Sequence, residues 1–535
     1  MPVQRFAPMT KDFPTFDCDA HVTEPPLIWE RAKDFLTRDE LDALKRTIWW
    51  DADGRLLIVN GRAGVGLSSP RKGGIPGTMR VITNAGPGVK HDIQRALNVR
   101  NLNPKTALTQ EQVAYLDHAG SYEPRPRLRD MDVQGIDQVM IIPTEIDIYP
   151  WLEDALGAKA FCRAYNEWAY EYTLADPERL FFAALIPMQH PDYAIAEIRR
   201  VAALGCRVAL VRPMDAMGNY PLQPKYEPVW DALEETGMVY GMHPFPAFSS
   251  SKPSGYSEQY SGAELIRRTV APSGLPHSFL TNVQNFQAEA ALWVTVVLMS
   301  GFFERHPKIN AAVFEASSTW LSFLIDECDK AYRLYRNERR LPPLKKLPSE
   351  TFFEHCMTGF EGDETPPARL PEFYGDILCW SSDVYHHDGD DVWRAIETMQ
   401  RHGLPREDQA KFLGANARRL YKVQAPANII RERVTEIERP DWWPTDEEVR
   451  AALRPEAAVD SLYGKGRMSD AGHAVCRIAG GQQNCGLRHR WGHWRADAAG
   501  GCSGGRRTIG HGNQSKPQHA LRRLSRAAID CELPH

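Results

Sequence analysis

An alternation constrains this chain more than any other feature. From about residue 127 to 422, short β-rich apolar runs take turns with stretches of helical period. "QVMIIPT" (138–144) reads as a buried strand. The following "ALGAKAFCRAYNEWAYEYTLA" sets Phe161, Tyr165, Trp168 and Tyr172 at three- and four-residue steps, one core-facing helical stripe. That helix is expected to stop before Pro177, because the residue preceding a proline resists αR geometry. "RLFFAALIPM", "CRVALVRP", "MVYGMHPF", "INAAVFEAS" and "DILCWSSD" read as further strands. Helical patterns lie among them: "DYAIAEIRRVAAL" ending at Gly205, "YEPVWDALEET" ending at Gly237, "TWLSFLIDECDKAYRLY" and "DDVWRAIETMQRHG". Strand–helix repetition with right-handed crossovers builds a parallel sheet. With "FDCDAH" as the first strand and a weaker "FEHCMTGF" as the seventh, the count reaches about eight, which points to a closed (β/α)₈ barrel. The competing open doubly wound sheet wants a glycine-rich loop after the first strand. "GRAGVGLSSP" (61–70) lacks the flanks for that role.

Two regions fall outside the alternation. Residues 45–125 carry "RTIWWDADGRLLIVNGR", two β-rich runs about Asp53-Gly54, the signature of a hairpin inserted after the first strand. The barrel is thus expected over 13–423, with a C-terminal extension over 424–463. Residues 464–535 hold no Phe or Tyr and show no periodicity, so a disordered basic tail is expected there. Residues 461–535 carry twelve Lys/Arg against four acids, a balance of +8 that leaves −13 of the net −5 to residues 1–460. A body of that sign argues against nucleic acid as partner. The ten cysteines lack a repeated spacing through residue 465 and read as reduced thiols. Cys476, Cys485, His489 and His493 mimic a zinc cluster without any apolar run to support one. No signal-peptide core opens the chain, and "AALWVTVVLMSGFF" (290–303) suits a buried helix better than a membrane span. The expectation is a soluble cytoplasmic protein with no membrane partner.

In a (β/α)₈ barrel the reactive side chains sit at the C-terminal strand ends. The first strand ends in Asp19-Ala20-His21, where the two-residue period puts both side chains on one face. "MVYGMHPF" supplies His243 and "LCWSSD" supplies Asp383. Two imidazoles and two carboxylates suit one divalent ion, Zn²⁺ best, with Mn²⁺ or Fe²⁺ also accommodated. The competing reading makes Asp19-x-His21 a turn or cap and His243-Pro244 structural. Around this set lie softer candidates. His386 and His387 could meet substrate or a water on the ion, or form a polar loop. Glu24 could orient His21 or cap the turn before Pro25. Arg267 or Arg268 with His277 could receive a substrate carboxylate, or be solvated loop charge. Trp29, Trp168 and Trp320 read as core.

Taken together, "FDCDAHVTEP", "LRDMDVQGIDQVMIIPT", "DPERLFFAALIPM", "YGMHPF", "GFFERHPKINAAVFEASSTWLSFLIDECD", "CWSSDVYHHDG" and "FLGANARRLY" resemble the amidohydrolase-related family. The resemblance is to the branch that includes aminocarboxymuconate-semialdehyde decarboxylase and aromatic-acid decarboxylases, and it spans roughly residues 13–423. It implies a metal-dependent barrel with Asp19, His21, His243 and Asp383 as ligands. It also implies a small carboxylic acid as substrate, and a homodimer. Two departures stand out. Many members carry His-x-His on strand 1, where this chain has Asp19-x-His21. The semialdehyde decarboxylase presents a histidine at the end of strand 6, where Glu315 stands here. Asp383, His243, Glu315 and His386 are the expected catalytic residues, and Arg267, His277 and His387 the expected substrate contacts. Two chemistries fit: non-oxidative decarboxylation of an aromatic or ring-cleavage acid, or hydrolysis of a C–N, C–O or C–C bond by activated water. A metal-free barrel acting as a binding scaffold is the reading from another class.

Overall fold

The computed structural model describes residues 2–25, 27–50, 57–59, 62–63, 112, 115, 118–144, 149–212, 219–244, 283–284, 286–386 and 389–452. Eight strands follow the expected order: β1 (Phe16–Val22), β2 (Gln138–Pro143), β3 (Leu180–Leu185), β4 (Val208–Leu210), β5 (Val239–Met242), β6 (Ala311–Val313), β7 (Cys356–Glu361) and β8 (Leu378–Ser381). Each pairs in parallel with its sequence neighbours in a single sheet. The sheet curls until its two edges meet. The Asp383 N–H donates to Asp19 O at 3.1 Å and the His21 N–H to Val384 O at 2.6 Å. The Ser382 N–H reaches the Asp17 carboxylate at 2.9 Å. A parallel sheet wrapped by helices is buried on both faces, which is why β1, β2 and β4 are buried along their whole length.

The helices sit where their periodicity places them. Helix α1 (Pro124–Gln134) leads into β2, and α2 (Ala155–Thr173) begins at Asp154, whose carboxylate accepts from the Leu156 and Gly157 N–H groups. The stripe Phe161, Tyr165, Trp168 and Tyr172 is buried. Helices α3 (Pro191–Ala203) and α4 (Glu227–Thr236) run on to Gly205 (φ 89°) and Gly237 (φ 67°), left-handed positions where a side chain would be strained. Helix α5 (Phe286–Met299) precedes β6, α6 (Thr319–Tyr335) follows it, and α7 (Val392–Arg401) follows β8. Among the described residues no helix is long and apolar enough to cross a membrane. Helix α5 is less buried than its apolar sequence suggests. Trp293, Val294, Val297 and Leu298 pack inward, whereas Leu292 remains 58% exposed.

Three details refine the expected boundaries. The seventh strand starts at Cys356, because a helix (Pro348–His355) occupies the first half of "FEHCMTGF". In the insertion, Ile48–Trp50 pairs antiparallel with Leu57–Val59, Ile48 opposite Val59, and Arg62–Ala63 adds a third strand. After the barrel the chain returns to its own start, where Glu436–Glu438 pairs with Val3–Arg5. The expected tail over 464–535, with its Cys476–His493 group, lies outside the described residues, as does most of the insertion.

Candidate metal centre

Asp19 and His21 leave β1 on one side, as the alternation requires, although the β1–β2 register shifts between Asp17 and Ala20. Such an irregularity re-aims side chains locally. The His21 ring is fixed from behind: Nδ1 lies 3.1 Å from Pro143 O and 3.1 Å from Thr144 Oγ1. A carbonyl can only accept, so Nδ1 carries the proton and Nε2 presents its lone pair to the barrel mouth. There it lies 3.3 Å from Asp19 Oδ1 and 3.3 Å from Asp383 Oδ1. Glu24 contributes one step back, its carboxylate accepting from the Thr144 N–H at 2.7 Å. Thr144 in turn sets its Oγ1 against His21 Nδ1, which links Glu24 to the ring.

His243, directly after β5, places Nε2 3.7 Å from Asp19 Oδ1 and 3.0 Å from Glu315 Oε2. Glu315, just beyond β6, has φ 42°, and Asp383, just beyond β8, has φ 54°. Left-handed backbone at non-glycine residues stores strain, and it gathers at sites where a side chain must be aimed. The turn at Glu315 also directs its N–H to Asp19 Oδ2 at 3.0 Å. His386 is no free loop residue. Its Nδ1 lies 2.8 Å from Asp383 Oδ1, and its ring stacks on His21 with centroids 3.8 Å apart.

Ligand-competent atoms of Asp19, His21 and His243 fall within 4.8 Å of one another, as do those of His21, Asp383 and His386. His21 belongs to both groups, which makes them one centre. Asp19 Oδ1 is buried and, among the described residues, receives no hydrogen bond. Burial pushes the Asp19 carboxyl above the usual carboxylate range, with His243, His386 and the Glu315 N–H pulling the other way. Burial likewise pushes Glu315 up, against the pull of His243 and His386. Carboxylates converging on imidazole lone pairs in a buried mouth are costly unless a cation joins them. Two oxygens and two nitrogens also fit the donor preferences of a divalent ion, so the residues present suit the group that the sequence implied.

Not every expected residue can be placed. Arg267, Arg268, His277 and His387 lie outside the described residues. Trp168 is buried, and Trp29 and Trp320 pack partly buried against the core, as expected. Asp17 and Arg212, both buried, carry no expectation from the sequence. Asp17, one period below Asp19, accepts from Ser382 N at 2.9 Å and Ser382 Oγ at 2.5 Å; burial still pushes it up to about 7. Arg212, two residues past β4, is buried with its Nε 3.2 Å from Glu289 Oε1. Leu210 pairs with Gly241 across β4 and β5, which brings Arg212 level with His243 in the barrel mouth. An arginine closing the apolar run "CRVALVRP" was the available signal.

The sequence pattern of the amidohydrolase family matches residues 16–423. A gamma-resorcylate decarboxylase of Rhizobium sp. (strain MTP-10005) is 25% identical over 306 residues, covering 56% of this chain and 86% of that protein. A gamma-resorcylate decarboxylase of Polaromonas sp. (strain JS666 / ATCC BAA-500) is 24% identical over 307 residues, with the same shares covered. Among solved structures, an amidohydrolase of Mycobacterium avium subsp. paratuberculosis K-10 aligns with a TM-score of 0.56 at 21% identity, covering 77% of this chain and 100% of that one. A 5-carboxyvanillate decarboxylase of Novosphingobium aromaticivorans, solved with bound manganese, aligns with a TM-score of 0.50 at 15% identity, covering 77% and 97%. The family pattern runs from the first residue of β1 to just beyond the short helix Asn416–Tyr421, taking in every strand of the barrel, and the chain therefore belongs to the amidohydrolase family.

Proposed function

We propose that this chain is a metal-dependent carboxy-lyase that removes CO₂ from an aromatic carboxylic acid without an oxidant. The observation that carries this reading is the placement of the Asp383–His386 pair, 2.8 Å apart, against the cluster of Asp19, His21 and His243. The gamma-resorcylate and 5-carboxyvanillate decarboxylases among its relatives support the substrate class. Asp19, His21, His243 and Asp383 would hold the ion. The carboxylate content of the set admits Mn²⁺ beside Zn²⁺, and manganese is the metal in the 5-carboxyvanillate decarboxylase. When bound, a divalent cation supplies Lewis-acid stabilisation of negative charge as the C–C bond to the carboxylate breaks.

The chain's own residues do the rest. Decarboxylation replaces the carboxylate carbon by a proton on the ring, so an acid must stand beside the reacting carbon. Asp383, with His386 Nδ1 2.8 Å away, would carry that proton, with His386 resupplying it. The stacking of His386 on His21 holds this relay against the ligand set. His243 and Glu315, 3.0 Å apart, form the opposite wall. Arg212 offers a buried guanidinium level with His243 for a substrate oxyanion. Arg267, His277 and His387 stay in the proposal as further substrate contacts.

The deciding experiment follows CO₂ and acid release together over a panel of hydroxylated benzoates, 5-carboxyvanillate and aryl esters, with Mn²⁺ or Zn²⁺ supplied. CO₂ release from an ortho-hydroxybenzoate supports the lyase. Acid release from esters without CO₂ makes the chain a hydrolase. Loaded protein that turns over nothing in the panel speaks for the scaffold.

A further inference from the structure

The seam where the barrel closes joins the two strands that carry ligands from opposite ends of the chain, and a buried arginine sits across it. Arg127, on α1, is 1% exposed. Its guanidinium donates from Nη2 to His21 O, from Nη1 to Val384 O at 3.4 Å and from Nε to Gly120 O at 3.1 Å. Among the described residues no carboxylate lies at ion-pair distance from it. A buried cation is costly without an anionic partner, so its three carbonyl partners give the arrangement a geometric purpose. Two of those carbonyls belong to His21 itself and to Val384, the neighbour of Asp383. Val384 O also accepts the His21 N–H at 2.6 Å. One rigid planar fork therefore spans β1 and the segment after β8 at the level of the ligands.

A second layer holds the fork. The guanidinium carbon lies 4.3 Å above the Tyr385 ring, and Tyr385 Oη donates to Asp130. Asp130 pairs with His118 Nδ1 at 3.0 Å, and the His118 ring stacks on Tyr385 at 5.3 Å. Gly120 leaves this layer its space, since a Cβ there would collide with Tyr385 Oη. Among the described residues none of these side chains belongs to the metal-competent groups.

We propose that Arg127 is a positioning residue of the metal centre. By gripping the main-chain carbonyls of His21 and Val384 together, it sets the 3.3 Å approach of His21 Nε2 to Asp383 Oδ1 and thereby the affinity for the cation. The inference rests on the metal reading above. Outer groups that orient metal ligands are commonly worth about 10- to 100-fold in affinity.

The test is a Mn²⁺ titration of the full chain, read as a dissociation constant beside the melting temperature of the metal-free protein. Arg127→Met should weaken Mn²⁺ binding by at least about tenfold. Arg127→Lys, which keeps the charge but not the planar fork, should recover part of that loss. Gly120→Ala should weaken binding in the same direction without touching Arg127. The control is Ile198→Ala on α3, a buried core truncation remote from the seam. It should lower the melting temperature and leave the Mn²⁺ constant as in wild type. Should Arg127→Met fail to fold, Arg127→Lys and Gly120→Ala decide the matter. Wild-type affinity in the arginine and glycine variants overturns the positioning role, and so does a control that loosens Mn²⁺ as much as they do. A wild type that takes up neither Mn²⁺ nor Zn²⁺ is a separate result: the metal reading falls, and the positioning role with it.

Discussion

The two ends of the barrel solve the burial of charge in opposite ways. At the N-terminal ends of β1 and β2, Lys11 Nζ meets Asp137 Oδ2 at 2.6 Å, with the two side chains 0% and 1% exposed. The same oxygen accepts from Thr15 N and Thr15 Oγ1, and Asp137 Oδ1 accepts from the Ile430 N–H at 2.7 Å. One cation answers one anion, and both carboxylate oxygens have donors. At the C-terminal ends, the carboxylates of Asp19, Glu315 and Asp383 crowd the imidazoles of His21, His243 and His386, and Glu315, Ser317 and Asp383 sit in left-handed backbone. The closed network holds the chain together. The strained one gathers ligand-competent side chains at the strand ends where this barrel type carries its reactive groups.

The largest expected effect lies at the strained end. Asp383→Asn should cut kcat by about 10²- to 10⁴-fold and leave the melting temperature within a few degrees of wild type. A variant that turns over normally would remove Asp383 from the chemistry. The closed end should behave in reverse. Lys11→Met leaves Asp137 buried without its cation and should cost about 3–5 kcal/mol of stability, measured by urea unfolding. The kcat of its folded fraction should be unchanged; a parallel loss would mean that the two ends are not separable. Stripping the ion with a chelator should also destabilise the wild type, since binding at about 100-fold excess over Kd adds roughly 2.7 kcal/mol. Asp19→Asn should show little of that metal-dependent stabilisation.

A smaller effect concerns Glu364, between the two extremes. Its carboxylate accepts from Ser318 N, Ser318 Oγ and Glu361 N, yet burial pushes it from 4.5 up to about 7. A folded state that holds a proton the unfolded chain releases loses stability as pH rises through that window. Melting temperature should therefore drift downward from about pH 5 to about pH 8, with Asp17 adding to the same slope, and Glu364→Gln should make the drift shallower. An unchanged pH slope in that variant would show Glu364 to be ionised throughout.

Much of the strained end was legible in the sequence, because barrel ligands stand directly at the ends of short β runs. "DAH", "GMHP" and "SSD" announce themselves once the strands are counted. What could not be read were contacts set by backbone geometry. Glu315 was placed at the end of strand 6, but its approach to His243 follows from a left-handed turn that the letters do not encode. The irregularity in β1 between Asp17 and Ala20 interrupts a period that otherwise looks regular. Arg127 stands in the charged run "PRPRLRD", whose letters carry no sign of burial, and only closure of the barrel shows that it is buried across the seam. Helix α5 looked fully buried because every residue from Ala290 to Met299 except Thr295 is apolar, yet a helix around a barrel has an outer face, and Leu292 lies on it. The Lys11–Asp137 pair joins residues distant in sequence, so no local pattern could have announced it.

If Asp19, His21, His243 and Asp383 hold a divalent ion, metal analysis of gently purified protein should find it. The wild type should carry about one Mn²⁺ or Zn²⁺ per chain, reduced to a small fraction in His21→Ala. Less than about half an ion per chain in the wild type, or an undiminished content in His21→Ala, would contradict that assignment.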